Sequence, residues 1–188
     1  LTMKEIMIAY WSGTGNTAAM AAILGKGIQD GGATAKVVSV EDIKADDLKD
    51  YPVFALGCPS MGNETLEETY MEDFVTEVES FASGKKIGLF GSYGWGDGEW
   101  MRNWVARMEE AGAQVYGGED AICMNEPDSE AEEKLEALGK EAVLHGEMCL
   151  GEGSGAVALF PFLDMGVAVY ESMSTFEDIH VEQYEELV

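Results

Sequence analysis

Short apolar runs alternate with amphipathic segments from residue 3 to about residue 145. This alternation is typical of an α/β domain in which helices join parallel strands. The apolar runs predict strands over 4–10, 35–40, 52–57, 86–92 and 113–124, the last with a break at Gly117-Gly118 left open. The amphipathic segments predict helices over 16–30, 66–82, 99–111 and 129–145. We therefore expect a doubly wound, five-stranded parallel sheet of order 2-1-3-4-5, which binds ligands at the C-terminal ends of its strands.

The loop after the first predicted strand carries groups that suit a phosphate. Residues 10–17 read Tyr-Trp-Ser-Gly-Thr-Gly-Asn-Thr and lead into a predicted helix, whose N-terminus favours an anion. The loop contains no Lys or Arg and matches neither G-x-x-x-x-G-K-[ST] nor G-x-G-x-x-G. It therefore predicts a phosphate that is anchored rather than transferred. The candidate contacts are Ser12, Gly13, Thr14, Gly15, Asn16 and Thr17.

Two later loops suit a flat ligand. Residues 57–64 read Gly-Cys-Pro-Ser-Met-Gly-Asn-Glu, and residues 91–100 place aromatic side chains among four glycines. Trp95 stands between two glycines with no helix or strand from which to pack, whereas Trp100 continues at helical spacing into Trp104 and is predicted to belong to the core. A planar ligand between these two loops, with its phosphate in the first loop, accounts for the composition of all three loops.

These loops resemble those of the short-chain flavodoxins of anaerobic bacteria, and the resemblance covers residues 3 to about 145. The matching strings are Tyr-Trp-Ser-Gly-Thr-Gly-Asn-Thr at 10–17, Leu-Gly-Cys-Pro-Ser-Met-Gly at 56–62 and Leu-Phe-Gly-Ser-Tyr-Gly-Trp-Gly-Asp-Gly-Glu-Trp-Met-Arg at 89–102, with a further match at 125–128. The resemblance implies a flavodoxin-like fold and a non-covalently bound FMN cofactor.

The resemblance also implies a role for each loop. The FMN phosphate would lie on Ser12, Thr14, Asn16 and Thr17, and the ring would lie between Met61 and Trp95. Glu64 matches the family carboxylate that accepts the N3 hydrogen bond. The redox-tuning turn Met61, Gly62 and Asn63 matches the peptide that flips on one-electron reduction and brings the Gly62 carbonyl to N5. Further contacts are predicted at Ser60, Ser92, Tyr93, Gly94 and Gly96.

The implied activity is that of an electron carrier rather than an enzyme. The protein would shuttle at low potential between the semiquinone and hydroquinone of FMN, and neither a catalytic residue nor a metal site is expected. With 11 Lys and Arg against 36 Asp and Glu, the formal net charge is −25, which disfavours nucleic acid and anionic membranes and favours basic redox partners. Three cysteines without a close pair indicate reduced thiols and a cytoplasmic location.

The composition changes after His145, which predicts a domain at 1–145 and a tail at 146–188. The tail has nine Asp or Glu and no Lys or Arg, yet residues 156–170 are almost wholly apolar apart from Asp164. This stretch is too short and too polar at its middle to span a membrane, so we expect a mainly helical segment whose apolar face is covered by the domain, a second copy or a partner.

The tail resembles the C-terminal end of nicotinate-nucleotide:dimethylbenzimidazole phosphoribosyltransferase, an enzyme of cobalamin assembly. The resemblance rests on residues 150–156, Pro161, Leu163-Asp164 and residues 173–176, and it places Glu152 at the family's catalytic base. The rest of that enzyme is absent, so phosphoribosyl transfer by this chain is not expected. Two alternatives to the carrier stay open: an interaction module whose tail mediates dimerisation or docks on a transferase, and an FMN-dependent reductase.

Overall fold

The computed structural model describes residues 5–145, which form a five-stranded parallel sheet with helices on both faces. The elements in chain order are β1 (Glu5–Tyr10), α1 (Asn16–Asp30), β2 (Thr34–Ser39), a 3₁₀ turn (Ala45–Leu48), β3 (Val53–Gly57), α2 (Met71–Glu79), β4 (Lys86–Tyr93), α3 (Glu99–Glu110), β5 (Gln114–Met124) and α4 (Ser129–His145). The strand order is β2-β1-β3-β4-β5, and every adjacent pair is parallel. The predicted fold is confirmed, and each strand lies within one residue of its predicted bounds. The predicted tail lies outside the described residues.

The sheet separates two apolar clusters, because successive side chains of a strand point to opposite faces. In β1, Met7 and Ala9 join the cluster under α2 and α3, while Ile6 and Ile8 join the cluster under α1 and α4. All five residues of β3 are buried, as expected for a central strand covered on both faces. This packing fixes the C-terminal ends of β1, β3 and β4, from which the three predicted ligand loops emerge. Among the described residues, no helix has the length and apolarity needed to cross a membrane.

The second helix is shorter than the sequence indicates. The prediction of 66–82 was wrong at both ends, because α2 spans Met71–Glu79. The carboxylate of Glu67 accepts hydrogen bonds from the backbone N–H groups of Thr69, Tyr70 and Met71, at 2.9, 2.8 and 3.1 Å. Burial alone would raise the pKa of Glu67, but these three N–H groups outweigh burial and lower it. Residues 68–70 therefore form a turn that the Glu67 carboxylate closes, and the helix begins after it.

Strand β5 is continuous but contains a bulge. Its pairing with β4 shifts register between Leu89 and Gly91, and Gly117 and Gly118 adopt φ values of 75° and 65°. These left-handed conformations are accessible to glycine at little cost, and they bend the strand without ending it. The chain at Gly117 and Gly118 is thus one strand with a bulge and not two separate strands.

Helix α4 has a defined start and an unusually close contact with α1. Asp128 Oδ1 accepts a hydrogen bond from the Ala131 N–H at 2.9 Å and so caps the N-terminus of the helix. Gly27 of α1 lies against the backbone of Glu136, and Gly139 of α4 lies against the backbone of Leu24. A Cβ atom at either glycine would collide with the facing helix, so the two backbones approach only because both side chains are absent.

Candidate functional site

A cleft opens where the loops after β1, β3, β4 and β5 converge at one edge of the sheet. Its cavity volume of about 230 Å³ is slightly below the usual range for a small-molecule site. It is lined by Trp11, Gly13, Thr14, Asn16, Pro59, Ser60, Met61, Ser92, Tyr93, Gly94 and Asn125. This edge carries the C-terminal ends of the parallel strands, where doubly wound folds bind their ligands.

The first loop is closed by the hydroxyl of Ser12. Its Oγ accepts hydrogen bonds from the N–H groups of Gly15 and Ala18, at 3.1 and 3.3 Å. Gly15 adopts a φ of 97° and immediately precedes the first residue of α1. The loop therefore turns tightly into the helix and presents Thr14 and Asn16 to the cleft at the positive end of the helix dipole.

Thr17 lies below this loop, in contact with β4. Its Oγ1 is 3.0 Å from Oγ of Ser92 and also accepts a hydrogen bond from the Ser92 N–H at 3.5 Å. The two residues are only 1% and 4% exposed. This hydroxyl pair ties the start of α1 to the end of β4, although the two residues are 75 positions apart in the chain.

The second loop contains a hairpin turn between Met61 and Thr65. Each of these residues donates its N–H to the other's carbonyl at 2.9 Å. Gly62 and Glu64 both have positive φ, at 50° and 53°, and Asn63 lies exposed between them. The left-handed conformation at Gly62 is inexpensive because glycine lacks Cβ, whereas at Glu64 it is an uncommon conformation that needs support.

The Glu64 carboxylate provides that support by joining the second loop to the third. Oε1 of Glu64 accepts hydrogen bonds from the N–H groups of Gly98 and Glu99, at 2.9 and 2.8 Å. These N–H groups are at the N-terminus of α3, where a carboxylate is favoured by the helix dipole. Both bonds end on Oε1, so they do not occupy Oε2. Gly96 packs against the same carboxylate.

The third loop exposes one tryptophan and buries another. Trp95 is 58% exposed, whereas Trp100 is 1% exposed and donates its Nε1–H to the Cys58 carbonyl at 3.3 Å. The ring of Tyr93 lies 5.6 Å from the ring of Trp100, centroid to centroid. The predicted contrast between a core Trp100 and an exposed Trp95 is confirmed.

An ionic clamp fixes the chain just after Trp95. The Arg102 guanidinium donates to Glu119 Oε1 at 3.0 Å, to Asp97 Oδ1 at 2.7 Å and to the Asp97 carbonyl at 2.9 Å. These bonds to Glu119 and Asp97 raise the pKa of Arg102 above its usual range. The clamp thereby connects the loop that carries Trp95 to strand β5.

Eight of the predicted site residues line the cleft, and eight lie beside it. The lining residues are Gly13, Thr14, Asn16, Ser60, Met61, Ser92, Tyr93 and Gly94. The others are Ser12, Gly15, Thr17, Gly62, Asn63, Glu64, Trp95 and Gly96, which belong to the same loops. Glu152 lies outside the described residues.

Sequence reasoning missed three residues that line the cleft, Trp11, Pro59 and Asn125. A Cβ at Gly13 would lie 2.9 Å from the Trp11 ring, so this tryptophan packs over the first loop. Asn125 follows β5 with a φ of 61°. The available signal was the topology, because in a parallel sheet the fifth strand also ends at the edge that carries the cleft.

The arrangement fits a phosphorylated planar cofactor. The first loop offers neutral hydroxyl and amide donors at a helix N-terminus, which suits an anion that is held without a cation. Met61 and the ring of Tyr93 line the cleft, and such apolar surfaces suit a flat ring. Gly13 and Gly94 line the cleft without side chains, which lets a ligand approach the backbone closely.

Comparison with known proteins agrees with this geometry. The flavodoxin family profile matches residues 8–156. The chain is 46% identical over 134 residues to a flavodoxin of Clostridium beijerinckii, an alignment that covers 71% of this chain and 96% of the relative. The solution structure of the two-electron reduced flavodoxin of Megasphaera elsdenii superimposes with a TM-score of 0.66 at 44% identity, over 74% of this chain and 98% of that one.

The predicted likeness of the tail to a second protein is also found. Part of the chain is 51% identical over 51 residues to the nicotinate-nucleotide–dimethylbenzimidazole phosphoribosyltransferase of Acetivibrio thermocellus. The alignment covers 27% of this chain but only 14% of the transferase.

Fold and cleft together define a doubly wound α/β protein with a ligand cleft at the C-terminal ends of its strands. More specifically, the chain belongs to the flavodoxin family. Its cofactor is FMN, and it is an electron-transfer protein that exchanges electrons with redox partner proteins. These comparisons favour the carrier over the interaction module and the reductase.

Proposed function

We propose that this chain is a low-potential one-electron carrier whose non-covalently bound FMN is held by the three loops. The observation that carries the proposal is one cleft in which a cation-free loop at the N-terminus of α1 lies beside the apolar side chain of Met61 and the ring of Tyr93. The groups that line the cleft are neutral donors, acceptors and rings. Such groups suit the holding and tuning of a cofactor more than the transfer of protons to a substrate.

Each loop has a distinct task in this proposal. The phosphate is held by Ser12, Thr14, Asn16 and Thr17, with backbone N–H groups of the loop. Met61 and Trp95 flank the ring, and Oε2 of Glu64 faces the ring's N3–H. Ser60, Ser92, Tyr93, Gly94 and Gly96 complete the cleft. FMN, when bound, supplies the one-electron chemistry, and the protein sets its energetics.

Gly62 gives the protein control over the two electron-transfer steps. Its φ of 50° and the absence of Cβ let the Gly62–Asn63 peptide change orientation at little cost. In one orientation the Gly62 carbonyl would accept a hydrogen bond from a protonated flavin N5. Such a bond would favour the protonated form and would thereby separate the potentials of the two one-electron steps.

Negative charge around the cleft lowers the potential of the second step. Adding an electron to the cofactor near a carboxylate costs about 0.8 kcal/mol for a charge at about 10 Å and an effective dielectric constant near 40, before screening. Since about 2.3 kcal/mol corresponds to 100 mV for one electron, each such carboxylate lowers the potential by about 35 mV. The same charge favours docking on basic surfaces of redox partners.

The proposal also includes a cytoplasmic location and association with other proteins through the tail. Cys58 and Cys123 are free thiols, which suits the reducing conditions of the cytoplasm. Self-association, or docking on a transferase, through residues 146–188 is a prediction for the tail that is independent of the cofactor site.

The test compares two charge-neutralising variants on the same helix. Glu99 is the first residue of α3 and Glu110 is the last, about 16 Å away along the helix axis, and both are exposed. For a separation of about 10 Å between the Glu99 carboxylate and the flavin, we expect Glu99→Gln to raise the second midpoint potential by about 35 mV at low ionic strength and by about 10 mV near 0.15 M salt. Glu110→Gln is the matched control and should shift it by only a few mV. Equal shifts in both variants, or overlapping one-electron steps in the wild-type protein, would contradict the proposal.

A further inference from the structure

Ser92 lies where three elements of the site meet. Its carbonyl accepts the N–H of Ser60 at 2.9 Å, which joins β4 to the second loop. Its side chain and its N–H both contact Thr17 Oγ1, which joins β4 to the first turn of α1. In the sheet it is paired with Cys123 of β5. One small side chain therefore connects the phosphate loop to the strand that carries the third loop.

The contact between the two hydroxyls is buried, so the direction of its hydrogen bond matters. A hydroxyl has one proton and two lone pairs. The Ser92 N–H already donates to one lone pair of Thr17 Oγ1. If Thr17 also gave its proton to Ser92, it would have no proton to offer a ligand. If Ser92 donates instead, both lone pairs of Thr17 are filled and its proton is available to an acceptor.

A phosphate ester resolves this choice. Its oxygens are acceptors, and it carries close to two negative charges at neutral pH. A phosphate beside Thr17 therefore selects the arrangement in which Ser92 donates to Thr17 and Thr17 donates to the phosphate. In that arrangement the Ser92 hydroxyl acts on the phosphate through Thr17 rather than through the flavin ring.

We propose that Ser92 is a positioning residue that sets the Thr17 hydroxyl as a hydrogen-bond donor to the cofactor phosphate. The proposal rests on the proposed function, since it requires a phosphate in the first loop. Under this proposal, Ser92 differs from the other cleft residues in the part of FMN that it affects. Loss of the Ser92 hydroxyl weakens binding of the phosphate half of FMN and leaves binding of the ring half unchanged.

The experiment compares FMN with riboflavin, which has the same ring and no phosphate. Full-length apoprotein is titrated with each flavin, and quenching of flavin fluorescence gives the dissociation constants. We expect Ser92→Ala to weaken FMN binding about fivefold, the equivalent of about 1 kcal/mol, and to change riboflavin binding by less than twofold. Ser80→Ala, at the far end of α2, is the matched control and should change neither constant.

A double-mutant cycle with Thr17 tests the connection itself. Thr17→Val removes the hydroxyl that Ser92 positions, so in this background Ser92→Ala should have less than a twofold further effect on FMN. Thr17→Ser, which keeps the hydroxyl, should retain the sensitivity to Ser92. If Ser92→Ala does not fold, Ser92→Cys supplies a nearly isosteric and weaker donor, and its loss should again be specific to FMN.

A second measurement needs no flavin. Inorganic phosphate should raise the thermal unfolding midpoint of the wild-type apoprotein, and it should raise that of Ser92→Ala by a smaller amount. The proposal is overturned if Ser92→Ala weakens FMN and riboflavin equally, if its effect persists undiminished beside Thr17→Val, or if phosphate stabilises both proteins equally. Wild-type protein that binds riboflavin as tightly as FMN would instead refute the phosphate loop of the proposed function.

Discussion

Replacing Gly96 by alanine tests whether the second and third loops are held together as the structure indicates. Gly96 has a φ of 93°, and a Cβ there would lie 2.5 Å from the carboxyl carbon of Glu64. The substitution therefore causes backbone strain and also displaces the carboxylate that bonds the N–H groups of Gly98 and Glu99.

The magnitude follows from these two effects. A side chain in the left-handed region costs about 1–2 kcal/mol. The loss of two hydrogen bonds to a half-buried carboxylate adds about 1 kcal/mol each. Gly96→Ala should thus lower the free energy of unfolding by about 3–4 kcal/mol. Gly62→Ala is the matched control, because a Cβ there meets only Thr65 Oγ1 at 3.6 Å, and it should cost about 1–2 kcal/mol.

The assay is urea unfolding of the apoprotein, followed by far-ultraviolet circular dichroism. Both glycine variants are also made beside Glu64→Ala, in which there is no carboxylate to displace. In that background the cost of Gly96→Ala should fall to about 1–2 kcal/mol, whereas the cost of Gly62→Ala should stay the same. Equal costs for the two glycines, or a cost at Gly96 that is independent of Glu64, would refute the reasoning.

Three further predictions concern other parts of the chain. Gly27→Ala should destabilise the protein by about 2–3 kcal/mol in thermal unfolding, because the added methyl group meets the Glu136 backbone. Helix propensity alone would instead favour alanine by about 1 kcal/mol, so a stabilised variant would disprove the contact. Burial raises the pKa of the Cys58 thiol to about 12 in the folded protein, compared with about 8.5 for a cysteine in the unfolded chain. The neutral thiol therefore contributes its full stabilisation below about pH 8.5, and this stabilisation is lost as the pH rises through about 12. Peptide mapping after iodoacetamide at pH 8 should show Cys58 unmodified in folded protein and modified in urea, and labelling of the folded form would be the contrary result. Ending the chain at residue 145 should change the FMN dissociation constant by less than about twofold, since the cleft-lining residues lie between positions 11 and 125. A tenfold loss of FMN affinity in a fluorescence titration would mean that the tail covers the cleft.

The fold was predictable because its signals are local. Apolar runs of six to twelve residues and helices with clear periodicity indicated the alternation of elements, and that alternation restricts the sheet to few topologies. The contrast between Trp95 and Trp100 was likewise local, since neighbouring glycines marked one and helical spacing marked the other. The start of α2 was missed because it depends on a side chain, Glu67, that closes a turn resembling a helix in sequence.

The connections within the site were not predictable from the sequence for a different reason. The bond between Thr17 and Ser92 and the bonds from Glu64 to the start of α3 join residues that are far apart in the chain. The same sequence pattern would have suited a Thr17 that faces the ligand alone, or a Glu64 that is free in solvent. Only the relative placement of β4, α1 and α3 decides where these oxygens find their partners.

The bulge in β5 has a consequence for how this protein behaves at high concentration. Within the described residues, β2 and β5 are the two edge strands of the sheet, and an edge strand offers a row of backbone groups to which another chain can add as a strand. At Gly117 and Gly118 that row is bent, and the exposed Glu119 and Asp120 follow at once. A second copy that approached this edge would meet misaligned backbone groups and two carboxylates. The bulge and these two acidic residues thus disfavour strand addition between two copies at the β5 edge.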